Sequence, residues 1–465
     1  MDAMTHPELV RDDGYTLDDI RECLEAVIPA VMATSSADGV PNVAYLSQVE
    51  YVDTHHVALS FQFFNKTRHN VLAQPEVEIL VVHPLTSGLY RIRARYQYTL
   101  TEGPLFERMK AKLAGVASHA GMSGVFRLLG SDIYEVQGIE RIPKPDMPMP
   151  VREHHQLSAL RAAVDALSQC ADFESLIEAT LAQLARTFDI DYAILLMYDP
   201  ASQRLYTVAS QGYGTSGVGS EIAIGEGVIG VAARERTPVR ISHMTNEQAY
   251  SQALRASLGT GADAARLSRE IPWPGLVDPH SQLAVPMLAL GELIGVLFVE
   301  STRDLRFTYD DEDALVALAG HLALSIRQVQ SRLDFADSTA DPAPELAGDL
   351  PEPPAEEAAV QVRYYEADGS VFFDGDYLIK GVAGTILWAV LSDHLQAGRC
   401  EFTNRELRLD ARIPLPDVCD NLEARLVLLA RRLKERQACI QIEKSGRGRM
   451  RLVRTRPVLL QTLSG

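Results

Sequence analysis

The chain has 465 residues, of which 46% are hydrophobic, and its formal net charge is −18 at pH 7. One hydrophobic core rarely serves a chain of this length, so we expect about three domains. No run of about 18 apolar residues occurs, and the N-terminus lacks the basic start and apolar core of a secretory signal, so we expect no membrane span and no export. The five cysteines form no Cys-x-x-Cys or Cys/His pattern, which favours a reduced cytoplasmic protein without a metal site.

Short strands separated by turns are predicted for most of residues 1–150. Alternating runs such as AVMATSS and EVEILVV are bounded by turn signals, among them Asp38-Gly39. Two helical stretches, NKTRHNVLAQP and LFERMKAKLAGVASHA, interrupt the strands. Closely spaced strands with few long helices predict a small antiparallel barrel.

A polar cluster follows the strand that ends in SFQFF. Lys66 and Arg68 supply positive charge there, and Asn65 and Thr67 supply neutral donors, at the predicted start of a helix. Charge, donors and the amides of a helix N-terminus together suit a phosphate group. The alternative is that Lys66 and Arg68 are ordinary solvated charges at a helix start.

This order of elements resembles the pyridoxamine 5′-phosphate oxidase-like split-barrel family. The resemblance rests on AVMATSSADGVPNVAYL, ALSFQFFNKTRHNVLAQPEVEILV and DIYEVQGIERI, and it implies an antiparallel split β-barrel. It also implies FMN as a candidate cofactor, with the phosphate at the turn described above and the flavin ring on the barrel face. The residues that it assigns to FMN are Tyr45, Ser47, Gln48, Ser60, Asn65, Lys66, Thr67 and Arg68. It indicates no catalytic residue, and many members keep the barrel but lose or change the cofactor.

Residues 155–332 combine helices with an antiparallel sheet. Leu and Ala recur at helical spacing in LSALRAAVDALSQCADFESLIEATLAQLARTF, where Asp172 is a predicted helix cap. The segments IGEGVIGVAARERTPVRI, SQLAVPMLALGELIGVLFVES and FTYDDEDALVALAGHLALSI resemble the GAF family of small-molecule sensors. The resemblance implies an α/β/α sandwich that binds an unidentified small molecule between the sheet and the region of residues 225–285.

The spacing of Phe307, Asp311 and Glu312 is the one found in cyclic-nucleotide-binding GAF members. The Asn-Lys pair expected upstream is absent, because Ser301-Thr302-Arg303 stands there. The alternative is that the two acids stabilise the N-terminus of the last helix. We expect no metal site in this domain.

Residues 333–359 are predicted to be a disordered linker. The stretch 334–359 carries eight Asp/Glu, five Pro and no Lys or Arg. It cannot bury enough apolar surface to offset the entropy of ordering it. Beyond the linker the charge changes sign, from −22 for residues 1–359 to +4 for residues 360–465.

The tail, residues 360–456, is predicted to have short strands, three helices and a closing β-hairpin. This layout resembles the winged helix-turn-helix domain of bacterial response regulators, with LEARLVLLARRLKE as recognition helix and IQIEKSGRGRMRLV as wing. Residues 420–456 have a net charge of +7, which suits DNA. The candidate DNA-contacting residues are Arg425, Arg431, Arg432, Lys444, Arg447 and Arg449. The alternative is that these arginines form a solvated basic face or pair with the acidic linker.

These predictions describe a multidomain α+β protein: an antiparallel split β-barrel, a GAF-like α/β/α sandwich and a C-terminal winged helix. The leading hypothesis is a cytoplasmic, homodimeric, ligand- or redox-sensing regulator with DNA-binding output. Regulation is expected to act either through dimerisation or through masking of the basic tail by the acidic body. One alternative is an FMN-dependent oxidoreductase regulated by the GAF domain. A protein-interaction scaffold is the other.

Overall fold

The computed structural model describes most of the chain as three folded units. The described residues are 14–24, 28–46, 48–62, 66–119, 127–148, 155–241, 271–339, 359–415, 421–446 and 448–463. We call residues 14–148 the N-terminal unit, residues 155–339 the central unit and residues 359–463 the C-terminal unit. Within these ranges, no helix is long and apolar enough to span a bilayer.

An antiparallel sheet of seven strands forms the N-terminal unit. Its strands are β1 (Ala30–Ser35), β2 (Pro41–Leu46), β3 (Val49–Tyr51), β4 (His56–Phe61), β5 (Glu76–Val82), β6 (Leu89–Leu100) and β7 (Gly130–Ile142). The order is β2-β1-β5-β6-β7-β4-β3, which leaves β2 and β3 at the edges and fits the predicted split barrel. The unit also contains a short 3-10 helix at Arg21–Leu24 and the helices α1 (Lys66–Ala73) and α2 (Pro104–His119).

Alternation of apolar residues decides which face of this sheet is buried. Ala30, Met32 and Thr34 of β1 are buried, whereas their neighbours are partly exposed. Val77 and Ile79 of β5 are buried in the same way. Because successive side chains of a strand point to opposite faces, this period of two places one face in the core.

The central unit is a six-stranded antiparallel sheet with helices on both faces. Its strands are β8 (Tyr192–Asp199), β9 (Arg204–Gln211), β10 (Glu221–Ala223), β11 (Val239–Ile241), β12 (Ser281–Ala289) and β13 (Glu292–Ser301), in the order β10-β9-β8-β13-β12-β11. Its helices are α3 (Gln156–Ser168), α4 (Phe173–Thr187), α5 (Gly227–Glu235) and α6 (Tyr309–Thr339). Helices α3, α4 and α6 cover one face and α5 covers the other, as in the predicted sandwich.

Strand β8 is buried on both faces. Leu195 and Met197 belong to the core under α3, α4 and α6, whereas Ile194 and Leu196 belong to the core under α5. A strand between two helical layers is expected to be continuously apolar, as this one is.

Helix α4 begins at the predicted cap. The Asp172 carboxylate accepts a hydrogen bond from the Ser175 N–H at 2.9 Å, and the Ser175 hydroxyl accepts from the Asp172 N–H at 3.3 Å. This reciprocal capping box satisfies two donors at the start of the helix, and a single cap of this kind stabilises a helix by about 1 kcal/mol.

Helix α6 runs to Thr339, past residue 333, where the linker was predicted to start. The first residue that breaks a helix in this region is Pro342, so nothing in the sequence between residues 333 and 339 stops the helix earlier. Residues 340–358, the rest of the predicted linker, lie outside the described part of the chain.

Two small sheets and three helices form the C-terminal unit. Its helices are α7 (Gly381–Ala397), α8 (Asn404–Leu409) and α9 (Leu422–Glu435). One sheet has the order β16-β15-β14-β20 and the other β17-β19-β18. The strands are β14 (Val360–Tyr365), β15 (Ser370–Phe373), β16 (Asp376–Ile379), β17 (Glu401–Thr403), β18 (Ile440–Gly446), β19 (Arg449–Arg454) and β20 (Val458–Leu463).

Local signals in the sequence set the ends of the first two of these helices. Gly398 ends α7 with a φ of 68°, a left-handed conformation that favours glycine. Thr403 and Glu406 form a capping box at the start of α8, where the Glu406 N–H donates to the Thr403 hydroxyl at 3.2 Å.

Helix α2 packs the N-terminal unit against the central unit. Ala111 of α2 is fully buried in the core that lies under α5. Near this contact, Lys110 lies 3.8 Å from Glu235, and at a second contact Arg21 lies 3.8 Å from Asp313.

Candidate functional site

Three buried polar side chains form a row across one edge of the N-terminal sheet. The Ser60 N–H donates to the Gln48 carbonyl at 3.2 Å, and Ser60 stands opposite Ser131 of β7. Gln48 Oε1, Ser60 Oγ and Ser131 Oγ are buried without a hydrogen-bond partner among the described residues. Since buried polar groups nearly always have a partner, this row is a candidate site for a polar ligand or ordered water.

The start of α1 presents one exposed cation. Lys66 is exposed, and the structure gives its ammonium no partner within the described ranges. Thr67 is buried instead, and its hydroxyl accepts from Asn42 Nδ2 at 2.9 Å. Ser47 and Asn65, two other residues assigned to FMN, lie outside the described part of the chain.

Arg68 points into the N-terminal unit. Its guanidinium donates to the Asp132 carboxylate and, at 2.9 Å, to the Thr99 hydroxyl, and it lies 4.2 Å from the ring centre of Phe61. The side chain of Arg68 is only 13% exposed, so this ion pair is shielded from water. Arg68 therefore ties α1 to β6 and β7, while Tyr45, on the edge strand β2, is 82% exposed.

The central unit buries one acidic side chain in the region predicted to bind a ligand. Glu300 of β13 is 1% exposed, and its carboxylate accepts from the Leu276 N–H at 2.7 Å and from Gln282 Nε2 at 3.0 Å. Burial raises the pKa of Glu300, against the effect of these hydrogen bonds. Trp273 lies beside Phe298, with 6.1 Å between ring centres and the ring planes tilted by 57°. A buried acid with a perturbed pKa beside aromatic rings is a candidate ligand-binding group.

Asp311 and Glu312, the two acids at the spacing found in cyclic-nucleotide-binding GAF members, make contacts that stabilise the fold. Asp311 accepts from the N–H and hydroxyl of Thr308 at 2.8 and 2.9 Å. Glu312 pairs with Arg240 at 2.9 Å. Burial acts to raise the pKa of Glu312, but Lys112 and Arg240 hold it below its usual value. The structure thus supports the alternative that these acids stabilise the start of α6.

No group of three His, Cys, Asp or Glu side chains is placed to hold a metal ion in the ranges that the structure covers. Cys23, Cys170, Cys400 and Cys439 are free thiols, and Cys419 lies outside those ranges.

Helix α9, the predicted recognition helix, packs on the central unit. Arg425 is 8% exposed, pairs with Asp199 at 2.8 Å, and places its guanidinium 3.7 Å from the ring centre of Tyr206. Arg431 lies 3.5 Å from the Glu178 carboxylate. Two of the candidate DNA-contacting residues therefore face acids of the central unit.

The predicted wing extends the same contact. Lys444 of β18 donates to the Asp172 carboxylate at 2.6 Å. Burial acts to raise the pKa of Asp172, but the hydrogen bond from Lys444 helps to hold it below its usual value. Asn421, beside α9, accepts from Gln330 Nε2 at 2.7 Å and donates to the Tyr198 carbonyl at 3.1 Å. We call this set of contacts between the central and C-terminal units the docking interface.

The remaining candidate DNA-contacting residues differ in their surroundings. Arg432 is 7% exposed and donates to the Leu378 carbonyl at 2.9 Å, inside the C-terminal unit. Arg447 lies outside the described residues. Arg449 is exposed, and the structure shows no partner for it among the residues it describes.

The acidic residues of the docking interface were not identified as such from the sequence. Asp172 and Asp199 each had a sufficient local explanation, as a helix cap and as a turn residue, and Glu178 has no distinctive sequence context. The available signal was the difference in net charge between the two parts of the chain, which predicts attraction but no individual pair.

Family models match two of the three units. Residues 16–137 match the model of pyridoxamine 5′-phosphate oxidase, and residues 172–326 match that of the GAF domain. The chain thus contains a domain of the first family followed by a GAF domain. No curated protein matches the chain.

Several solved structures resemble single domains of the chain. The GAF domain of an Acinetobacter phosphoenolpyruvate-protein phosphotransferase is 22% identical, with 38% of this chain and 95% of that chain covered and a TM-score of 0.29. A free methionine-R-sulfoxide reductase from Neisseria meningitidis, in complex with its substrate, is 20% identical, with coverages of 38% and 91% and a TM-score of 0.29. An FMN-binding protein from Syntrophomonas wolfei subsp. wolfei is 16% identical, with coverages of 27% and 86% and a TM-score of 0.23. At these TM-scores the similarities carry no conclusion about function.

Proposed function

We propose that this protein is a cytoplasmic ligand- or redox-sensing regulator whose C-terminal unit is a winged helix that binds DNA. Three helices followed by a β-hairpin, with a net charge of +7 over residues 420–456, support this proposal. The observation that carries it is the docking interface, in which helix α9 and strand β18 are held against carboxylates of the GAF domain. In a winged helix these are the elements that contact DNA.

In this proposal the GAF domain masks the DNA-binding surface. Carboxylates and phosphates compete for the same guanidinium groups, because both offer paired anionic oxygens. Arg425 cannot pair with Asp199 and reach a base at the same time. A ligand of the GAF domain would change the output by favouring either the docked or the released state, and only to the extent that it binds one state better.

Fluorescence anisotropy of the full chain with a random-sequence duplex tests the DNA-binding part. We expect the chain to bind DNA at low salt. The logarithm of the association constant should fall linearly with the logarithm of the salt concentration, because binding releases counterions from the DNA. Arg449→Gln should reduce that slope by about one, since Arg449 is exposed and available to a phosphate. Arg186→Gln, an exposed arginine on α4 away from the hairpin, should leave the slope unchanged. Absence of binding at every salt concentration would contradict the proposal.

A second candidate function is an FMN-dependent oxidoreductase regulated by the GAF domain. The observation in its favour is the row of buried polar atoms at Gln48, Ser60 and Ser131, which would suit the polar edge of a flavin. Lys66 is available to a phosphate, whereas Arg68 is already paired with Asp132. A bound flavin would supply one- or two-electron redox chemistry, and these side chains would bind and orient it.

Equilibrium dialysis with FMN tests this second function. We expect Lys66→Ala to weaken FMN binding about tenfold, because a charge-assisted contact to the phosphate is lost. Lys144→Ala, at an exposed position outside this site, is the control and should change nothing. Failure of the full chain to bind FMN, or equal binding by both variants, would contradict the predicted site.

A further inference from the structure

We propose that a cavity within the docking interface is a binding site for a small amphipathic organic anion. The cavity has a volume of about 460 Å³, which is within the usual range for small-molecule pockets. The central unit contributes the first turn of α4 and Arg332 of α6 to its walls. The C-terminal unit contributes α9 and the β18–β19 hairpin, so the cavity exists only while the two units are docked.

Apolar side chains form much of the cavity wall. Leu426, Val427 and Ala430 line it from α9, and Ile442 and Met450 line it from the hairpin. Leu426, Val427 and Ile442 pack against the main core but are only partly buried. An aromatic ring or short hydrocarbon chain in the cavity would remove this remaining apolar surface from water.

Two cations that have no partner among the described residues give the cavity its selectivity for an anion. Arg332, from the central unit, and Arg449, from the C-terminal unit, both line the cavity and are both exposed. The structure shows no hydrogen bond or ion pair for either side chain in the part of the chain that it describes. A guanidinium group binds a carboxylate through two parallel hydrogen bonds, so an anionic group can be held from either unit.

The acidic residues that line the cavity do not neutralise these two arginines, because two of the three acids are already paired. Asp172 is paired with Lys444, and Glu423 is paired with Arg408 at 3.0 Å. Glu174 is the remaining acid of the wall and is exposed. Among the wall residues that the structure describes, the unpaired charges are therefore two positive and one negative, which favours an anion over a cation.

A ligand in this cavity would stabilise the docked state, because it contacts both units and loses half of its contacts when they separate. The stabilisation of the docked state follows mass action, so it grows with the ratio of the ligand concentration to its dissociation constant. That such a ligand would also reduce DNA binding rests on the proposed function, whereas the binding itself does not.

Calorimetry of the full chain with 2-naphthoate, and with the uncharged 2-naphthamide as matched probe, tests the site. We expect one equivalent of 2-naphthoate to bind, and 2-naphthamide to bind about tenfold more weakly because it cannot form the charge-assisted pairs. Arg332→Gln and Arg449→Gln should each weaken 2-naphthoate about tenfold and leave 2-naphthamide unchanged. Glu174→Gln should raise the affinity for 2-naphthoate, because it removes a negative charge from the cavity wall.

Two further variants distinguish binding in the cavity from binding elsewhere on the protein. Ala430→Phe fills the cavity and should weaken both probes, and Arg186→Gln, on α4 but outside the cavity, should change neither. Circular dichroism confirms that each variant is folded. No binding of 2-naphthoate, equal affinity for the two probes, or binding that is insensitive to both arginine variants would overturn the proposal. A protein that binds 2-naphthoate in this way but binds no DNA would support the site and contradict the proposed function.

Discussion

Individual ion pairs in this protein differ widely in how much water reaches them. Arg68 and Asp132 are 13% and 8% exposed, whereas Arg95 and Glu76, on strands of the same sheet, are 53% and 56% exposed. Removing one partner of a shielded pair leaves the other charge buried, but an exposed charge is simply solvated. The sequence does not distinguish the shielded pair from the exposed pair, because burial depends on strands that are distant in the chain.

Asp132→Asn should therefore lower the free energy of unfolding by about 3 kcal/mol, since it leaves Arg68 buried without a counter-charge. Glu76→Gln is the matched control and should cost less than about 1 kcal/mol. Urea denaturation measures both. Equal effects of the two substitutions would show that the Arg68–Asp132 pair is not shielded as the structure indicates.

Because of Glu300, the free energy of unfolding should decrease as the pH rises above the ordinary pKa of a glutamate. Burial raises its pKa in the folded protein, so the folded state binds the proton more tightly than the unfolded state does. The contribution of Glu300 to stability should fall as the pH rises from its ordinary pKa to the raised one, and then stay constant. In thermal denaturation across this window, Glu300→Gln should gain stability relative to the unsubstituted protein. A constant difference between the two proteins would contradict a raised pKa.

Helix and strand boundaries with a local cause could be predicted, and those with a distant cause could not. The caps at Asp172 and Thr403 and the end of α7 at Gly398 follow from residues within four positions. The linker is predicted to begin at residue 333, but α6 continues to Thr339, because acidic composition alone does not end a helix and the first proline lies at position 342. The order of strands and the packing of α9 depend on contacts that no local pattern contains.

The edge strand β2 is an element that we expect a second copy of the chain to cover. Val43 and Tyr45 of β2 are 66% and 82% exposed, and Val40, just before it, is 51% exposed. An exposed apolar edge strand is prone to pair with another chain, so we expect β2 to be a contact of the predicted homodimer.

Val43→Lys combined with Tyr45→Lys should therefore convert a dimer into a monomer in sedimentation velocity experiments, because two charges would be placed in the contact. Tyr98→Lys, which changes another exposed aromatic residue of the same unit, should leave the dimer intact. A monomeric starting protein, or a dimer that survives both lysines, would count against this role of β2.

At the scale of the whole molecule, charge asymmetry predicted the arrangement better than any motif. An acidic body and a basic tail were expected to attract, and the docking interface joins residues as far apart as Asp172 and Lys444, 272 positions away in the chain. The individual pairs could not be predicted, because each of these residues already had a local interpretation. The FMN-contacting residues stay a prediction, and the row that includes Ser131 could not be predicted because it depends on the pairing of β4 with β7.

Acid should release the C-terminal unit. The hydrogen bond from Lys444 lowers the pKa of Asp172 only in the docked state, whereas the bonds from Ser175 are kept on release. The contribution of this pair to docking is therefore lost as the pH falls through the lowered pKa. Small-angle scattering should show a larger radius of gyration as the pH falls through this range. Lys444→Gln should make that change weaker, since the pair is already broken. An unchanged radius over this range would contradict electrostatic docking.

The most direct test of masking is the affinity of the full chain for duplex DNA before and after Asp199→Asn. This substitution leaves Arg425 buried without its partner and should weaken docking by about 3 kcal/mol, so we expect DNA affinity to rise at least about tenfold. Asp165→Asn, which removes an exposed acid that is paired with Arg161 on α3, should leave the affinity unchanged. Equal affinities of Asp199→Asn and the unsubstituted chain, or no DNA binding by either, would contradict the account.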